Sequence, residues 1–310
     1  MRNSKVRRSK LRPIRSRNVI AGAAVLFLAA TVGCTGGSSA SSGEKNRSGS
    51  TPVLVSSVDL DLPLGAYLLT PRQVNDLSQA HSKLVERCMA RLGFDNATTE
   101  PEELKAPMGL RSLNERRYGL TNAEEAADLG YRLGDRDPAA QPQREPGKWS
   151  PAQADALTGE GAATVNGRPV PRGGCVGEAQ RELRADSPEL TDRDLAQRLS
   201  TDSYNRSRQD SRVHDVIGEW SACMAKRGFH YADPFEATRD PRFRGALSAA
   251  EISTATADVS CKRETNLVGV WSTVESSFQR SLVKKHHDKL QRLRRANQTE
   301  SAAARTVLRR

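Results

Sequence analysis

Two heptapeptides, CMARLGF at Cys88–Phe94 and CMAKRGF at Cys223–Phe229, share five of seven positions, and each begins with a thiol. A cysteine can attack an electrophile, bind a metal, exchange disulfides or form a fixed cross-link, and its neighbours decide which. Apart from Cys34 the chain has four: Cys88, Cys175, Cys223 and Cys261, an even number that suits two disulfides in an exported chain. No C-x-x-C or His pair accompanies them, so a zinc site is not expected. Neither heptapeptide has a second Cys nearby to resolve a mixed disulfide, which argues against redox exchange. RGGC at 172–175 lacks a partner His and reads as part of a cross-link rather than an activated thiol. Three pairings remain open. Each heptapeptide is followed by one further Cys near a helix start, and Cys88–Cys175 with Cys223–Cys261 preserves that parallel; Cys88–Cys223 is the main rival.

Other chemistry is sparse. Glu102-Glu103, Glu124-Glu125 and Asp135/Asp137 could serve as acid/base pairs of a glycosidase, which would also need a cleft lined with aromatics. They lie in polar, aromatic-poor stretches, so a solvated face is expected. His81 falls on an apolar helical stripe and reads as a satisfied interface residue. His286 and His287 are about 100° apart around a helix and cannot share a metal face. With no H-E-x-x-H, G-x-S-x-G or Gly-rich phosphate loop, no catalytic residue, cofactor or metal is expected.

The elements that would position the cysteines are helices. In each heptapeptide the Gly falls where a helix ends with φ > 0, and Met and Phe fall at the two positions that touch in a Schellman stop. Thr70-Pro71…Gln73, Thr121…Glu124, Ser150-Pro151…Gln153, Thr191…Asp194 and Ser248…Glu251 are helix starts. Apolar spacing of three and four predicts helices after Thr70, over 191–227 and over 249–295, the last two forming a long antiparallel hairpin with coiled-coil-like packing. The fold class is therefore all-α, with two disulfide-tied helical modules, 53–185 and 186–296. Residues 297–310 read as a basic, disordered tail.

The N-terminus addresses the cell. Residues 1–18 hold eight basic residues and no acid, and VIAGAAVLFLAATVG then ends at Cys34. That run is shorter than the ~20 residues of a spanning helix and reads as an export signal over 1–33. TVGC at 31–34 is like a bacterial lipobox, with Cys34 as the lipidated residue and Thr31 where Leu is usual. Residues 34–52 form a Gly/Ser-rich spacer. The net charge of +11 is misleading, because the signal carries +8, residues 280–310 another +8, and the body from 34 to 279 is −5. Export also argues against nucleic acid as a partner. The tail cations Lys284, Lys285, Lys289, Arg292, Arg294 and Arg295 could hold an envelope protein, an anionic wall polymer or phospholipid headgroups.

WSACMAKRGFHYADP and AAEISTATADVSCKRETNLVGVWSTVE resemble a group of uncharacterised actinobacterial lipoproteins with C-M-x-x-x-G-[FY], A-D-x-x-C-K and a Trp-containing long helix. LPLGAYLLT and NERRYGLTNAEEAADLGYR are similar to the first module of such proteins, and the likeness spans most of residues 59–280. It implies membrane attachment and an association with envelope transport or cell-wall processes, but no activity. The expectation is a lipid-anchored extracytoplasmic protein, a non-catalytic binding or scaffolding subunit. The alternative is a wall-metabolising enzyme whose site assembles only in three dimensions.

Overall fold

The computed structural model describes residues 51–95, 109–138 and 149–310, and these fold into ten α-helices with one short two-stranded ribbon, an all-α class. Cys34 and the signal lie outside the described residues. So do Glu102 and Glu103.

Helix-start chemistry fixes the first elements. Thr70 accepts from the Gln73 amide and the Gln73 side chain accepts from the Thr70 amide, so α1 runs Pro71–Arg91. Ser150 and Gln153 repeat this box at α3 (Pro151–Thr158). The start expected at Thr121 shifts by one residue. Asn122 caps α2 (Ala123–Leu129), because the Thr121 hydroxyl is buried and accepts from the Ser57 amide at 3.1 Å.

Both heptapeptides stop their helices in the same way. Gly93 and Gly228 have φ of 90° and 84°, and the amides of Phe94 and Phe229 reach back to the carbonyls of Met89 and Met224, each at 3.0 Å. The ribbon β1 (Thr164–Val165) and β2 (Arg168–Pro169) turns at Asn166-Gly167, and the Asn166 side chain donates from Nδ2 to Leu92 O at 2.9 Å, closing the end of α1. A Cβ on Gly174 would meet the Leu157 carbonyl oxygen at 2.3 Å. The RGGC glycines thus let α4 (Gly174–Arg184) start hard against the end of α3 and bring Cys175 to α1.

Cys88 bonds Cys175, with Cα atoms 5.5 Å apart, and Cys223 bonds Cys261, with Cα atoms 5.7 Å apart. This is the pairing that keeps the parallel between the two heptapeptides.

The hairpin has two broken arms: α5 (Leu195–Arg208) and α6 (Ser211–Lys226) against α8 (Ala249–Glu264) and α9 (Leu267–Lys285). α7 (Pro234–Thr238) lies between them in the chain. Trp220 Nε1 donates to Asp258, Trp271 Nε1 to Ser207 Oγ, and Gln279 Nε2 to Ser203 Oγ. One arm's numbers fall as the other's rise, which is antiparallel pairing. The arms were expected to be continuous, but a side chain engages a backbone group at each break, locally at Asp210 and at long range at Asn266. Asp210 caps α6 by accepting from the Arg212 amide. Asn266, at φ 51°, takes the Leu54 amide at 3.1 Å and donates to Pro52 O at 3.0 Å.

α10 (His287–Arg309) corrects the expectation of a disordered tail from 297. Ala304 and Val307 are buried in a cluster with Leu84, Val85 and the first disulfide. Past residue 296 its inward face mixes Ala304 and Val307 with Glu300 and Ser301, so apolar spacing alone does not mark it as core. Helices therefore pack across the boundary expected at 185/186: the end of α10 joins α1 and α4, while Tyr118 packs among α6, α8 and α9. Residues 49–310 form one compact unit.

Two predictions follow from this packing. The disulfides close separations of 87 and 38 residues, worth about 4.6 and 3.9 kcal/mol in the chain-entropy model. Replacing either pair by Ala should lower the urea-unfolding free energy by about 4 kcal/mol, as read from denaturation curves. Amides of residues 302–307 should exchange with deuterium far more slowly than an unstructured peptide; exchange at the intrinsic rate would mean the tail is not packed.

Candidate functional site

Charged groups withdrawn from water are the first place to look for chemistry. α8 and α9 carry four, Glu251, Asp258, Lys262 and Glu275, each no more than 2% exposed. All four turn towards one stretch of chain, 117–132, which contains RYGLTNAEEAADLGYR.

Glu275 gathers the most partners. Its carboxylate accepts from Arg117 Nε at 2.9 Å and from Arg117 Nη2, from Tyr118 OH at 2.8 Å, from Ser203 Oγ at 3.1 Å and from Gln279 Nε2 at 2.7 Å. Burial, reinforced by the Glu275 charge, raises the Tyr118 phenol well above its ordinary value. Burial acts to lower Arg117, but the hydrogen bonds and the charge of Glu275 together outweigh it and raise the guanidinium.

Asp258 and Lys262 form a second clamp one helical turn long. Lys262 Nζ donates to Asp258 at 2.9 Å and to Leu120 O at 2.8 Å, while Trp220 Nε1 donates to Asp258 at 2.9 Å. Burial pushes the Asp258 carboxyl up and the Lys262 ammonium down, and each charge opposes the shift of the other. Both residues belong to the A-D-x-x-C-K stretch, whose Cys261 is cross-linked to Cys223.

Glu251 is the third clamp. It accepts from Arg132 Nη2 at 2.9 Å and Nε at 3.2 Å, and from the Tyr131 amide at 3.3 Å. Ser248 caps α8 as expected, but the Glu251 side chain, expected to close that cap, faces Arg132 instead. Along the three clamps residues 117, 120 and 132 meet 275, 262 and 251, so the segment runs antiparallel to α8–α9.

The remaining sequence candidates are dispersed. Glu125, expected on a solvated face, instead binds Arg116 at 3.0 Å, Arg136 at 2.9 Å and also Arg111, while Glu124 is exposed. Glu115 is 2% exposed and shares Arg111 and Arg136. Asp135 is exposed. His81, expected to be satisfied, has a buried Nε2 without a hydrogen-bond partner among the described residues. Lys284, Lys285, Lys289, Arg292, Arg294 and Arg295 are all exposed, at the end of α9 and along α10. Among the described residues no group of three or more Cys, His, Asp or Glu could hold a metal, and no helix is long and apolar enough to cross a membrane.

A cavity of about 70 Å³ lies beside the Glu275 cluster, with Leu62, Leu64, Asn114, Arg117, Gln197 and Gln279 among its lining residues. That is room for about two waters. Gln279 Oε1 already accepts from the Leu64 amide at 2.9 Å. A general base needs a lone pair free for its substrate. Glu275, Asp258 and Glu251 all accept from internal donors, and the arrangement fastens segment 117–132 to the hairpin.

No family model, curated protein or solved structure matches this chain.

The buried clamps were missed from sequence because only apolar residues were counted along the stripes. The signal was an i, i+4 Asp258/Lys262 pair lying among Ala255, Val259 and Cys261.

Lys262→Met leaves Asp258 buried with its charge partner gone and should cost about 3–5 kcal/mol. Adding Asp258→Asn to it should cost less than the two single changes summed, by urea denaturation. Burial acts to raise the Glu115 carboxyl, but hydrogen bonds from Arg136 and the Arg111 amide outweigh it and hold it below its ordinary 4.5. Its contribution to stability is thus present above pH 4.5 and is lost as pH falls through the lowered value. Glu115→Gln should flatten the fall in melting temperature below that pH; an unchanged slope would exclude Glu115 as a source of acid sensitivity.

Proposed function

We propose that this chain is a lipid-anchored protein on the outer face of the cell membrane, a non-catalytic binding or scaffolding subunit working with a membrane transporter or the cell wall. The carrying observation is the construction of the body. Two disulfides between packed helices suit an oxidising compartment, and the signal with its lipobox at Cys34 supplies the route there. The carboxylates that would draw attention as catalysts are engaged in holding the chain together, which favours a rigid platform over a reactive cleft. The likeness to actinobacterial lipoproteins points the same way.

The test is mass spectrometry and fractionation of the full chain from a bacterial host. A diacylglyceryl thioether on Cys34, with the chain in the membrane pellet and open to external protease, is the expected result. An unmodified chain in the cytoplasm would contradict the reading. Hydrolysis or remodelling of cell wall by the purified chain would replace it with the enzyme alternative.

A further inference from the structure

We infer that the outer face of α10, with the end of α9, is a second membrane contact that docks on anionic phospholipid headgroups. The inference builds on the proposed anchoring at Cys34, although the surface itself is defined by the folded body.

α10 is two-sided. Leu290, Leu293, Ala304 and Val307 turn into the body, and the helix cannot roll to offer another face without exposing them. On the opposite side Arg294, Arg295, Arg305 and Arg309 are exposed and fall within about 100° of one another around the axis. They occupy a straight strip about 22 Å long. The exposed residues between them are Gln298, Ala302 and Thr306, short or neutral side chains that leave the cations standing proud. Lys284 and Lys285 extend the strip at the end of α9.

Acids do not neutralise this strip. Glu300 is turned inward and bound by Arg193 at 2.8 Å, and Asp288 lies before the arginines, at the first turn of α10, in contact with His287. Among the described residues, no ion pair engages the six strip cations. The rest of the body is net acidic, −5 over 34–279, so an anionic surface would attract this face and repel others. An exposed charge on a helix is ordinarily just solvated; here four arginines of α10 share one face with no acid between them.

The tether favours the bilayer over a distant polymer. The described chain begins at α9's start, where Pro52 O accepts from Asn266, and the cationic strip begins at the other end of α9, about 28 Å away. The 17 residues from Thr35 to Thr51 span at most about 60 Å, enough for lipid and strip to meet one membrane plane.

The test uses the chain from Thr35 to Arg310, which keeps the whole compact unit 49–310 and lacks the lipid site, so its outcome is independent of whether Cys34 is lipidated. Sedimentation with phosphatidylcholine vesicles, with and without about 30 mol% phosphatidylglycerol, reads the partition. Binding at least about tenfold stronger on the anionic vesicles is expected, falling steeply when salt rises from about 0.15 to 0.5 M. Arg294→Glu/Arg295→Glu/Arg305→Glu should abolish the gain without changing the melting temperature, and the corresponding Gln triple should lower it partway. If the Glu variant melts early, the Gln variant decides. Equal binding to both vesicle types, or anionic binding untouched by the Gln variant, would overturn the inference. So would stripping of the chain from vesicles by soluble poly(glycerol phosphate) at matched phosphate, which would assign the face to a wall-type polymer.

Discussion

A carboxylate buried in a helical bundle must be met by donors, or its desolvation cost destabilises the fold by several kcal/mol. Three such carboxylates on α8–α9, at 251, 258 and 275, organise this protein. Glu275 and Glu251 take donors from one segment, 117–132, while Asp258 holds Lys262, whose ammonium donates to Leu120 O in the same segment. The hydrophobic contacts of Tyr118 and Leu120 with the hairpin are non-directional, whereas the hydrogen bonds to Glu275 and Lys262 are not. The polar pairs therefore set where the segment lies, and the apolar residues add the packing.

That constraint explains the interleaving of the two halves. A segment that precedes α3 and α4 in the chain is fixed to α8 and α9, while α10 returns to pack on α1 and α4. Each disulfide closes one of the resulting clusters: Cys88–Cys175 lies beside Ala304 and Val307, and Cys223–Cys261 beside Trp220 and Trp271. Arg227 covers the second, with Nη1 2.8 Å from Cys261 Sγ. The repeated heptapeptide is thus the same helix stop and cross-link used at two ends of one body.

Much of this could be read in the residues. The boxes at Thr70 and Ser150 and the glycine stops at 93 and 228 are local, since each needs only partners within a few residues. The class and the hairpin followed from apolar spacing. What escaped were features decided at long range. Thr121 gave up its capping role because Ser57 reached its hydroxyl from 64 residues away. The break at Asn266 depends on Pro52 and Leu54, more than 200 positions distant. Ala304 could be recognised as core only once α1 was beside it. Glu251, Asp258 and Glu275 were invisible as core because a charged residue is counted as surface unless its partner is known.

The measurement that tests the central claim most directly is a double-mutant cycle on Arg117→Ala and Glu275→Ala, followed by urea unfolding. If buried ion pairs fix segment 117–132 to the hairpin, the two changes will be coupled by about 2 kcal/mol or more, with Arg117→Ala alone strongly destabilising. Effects that add to within about 0.5 kcal/mol would contradict the account.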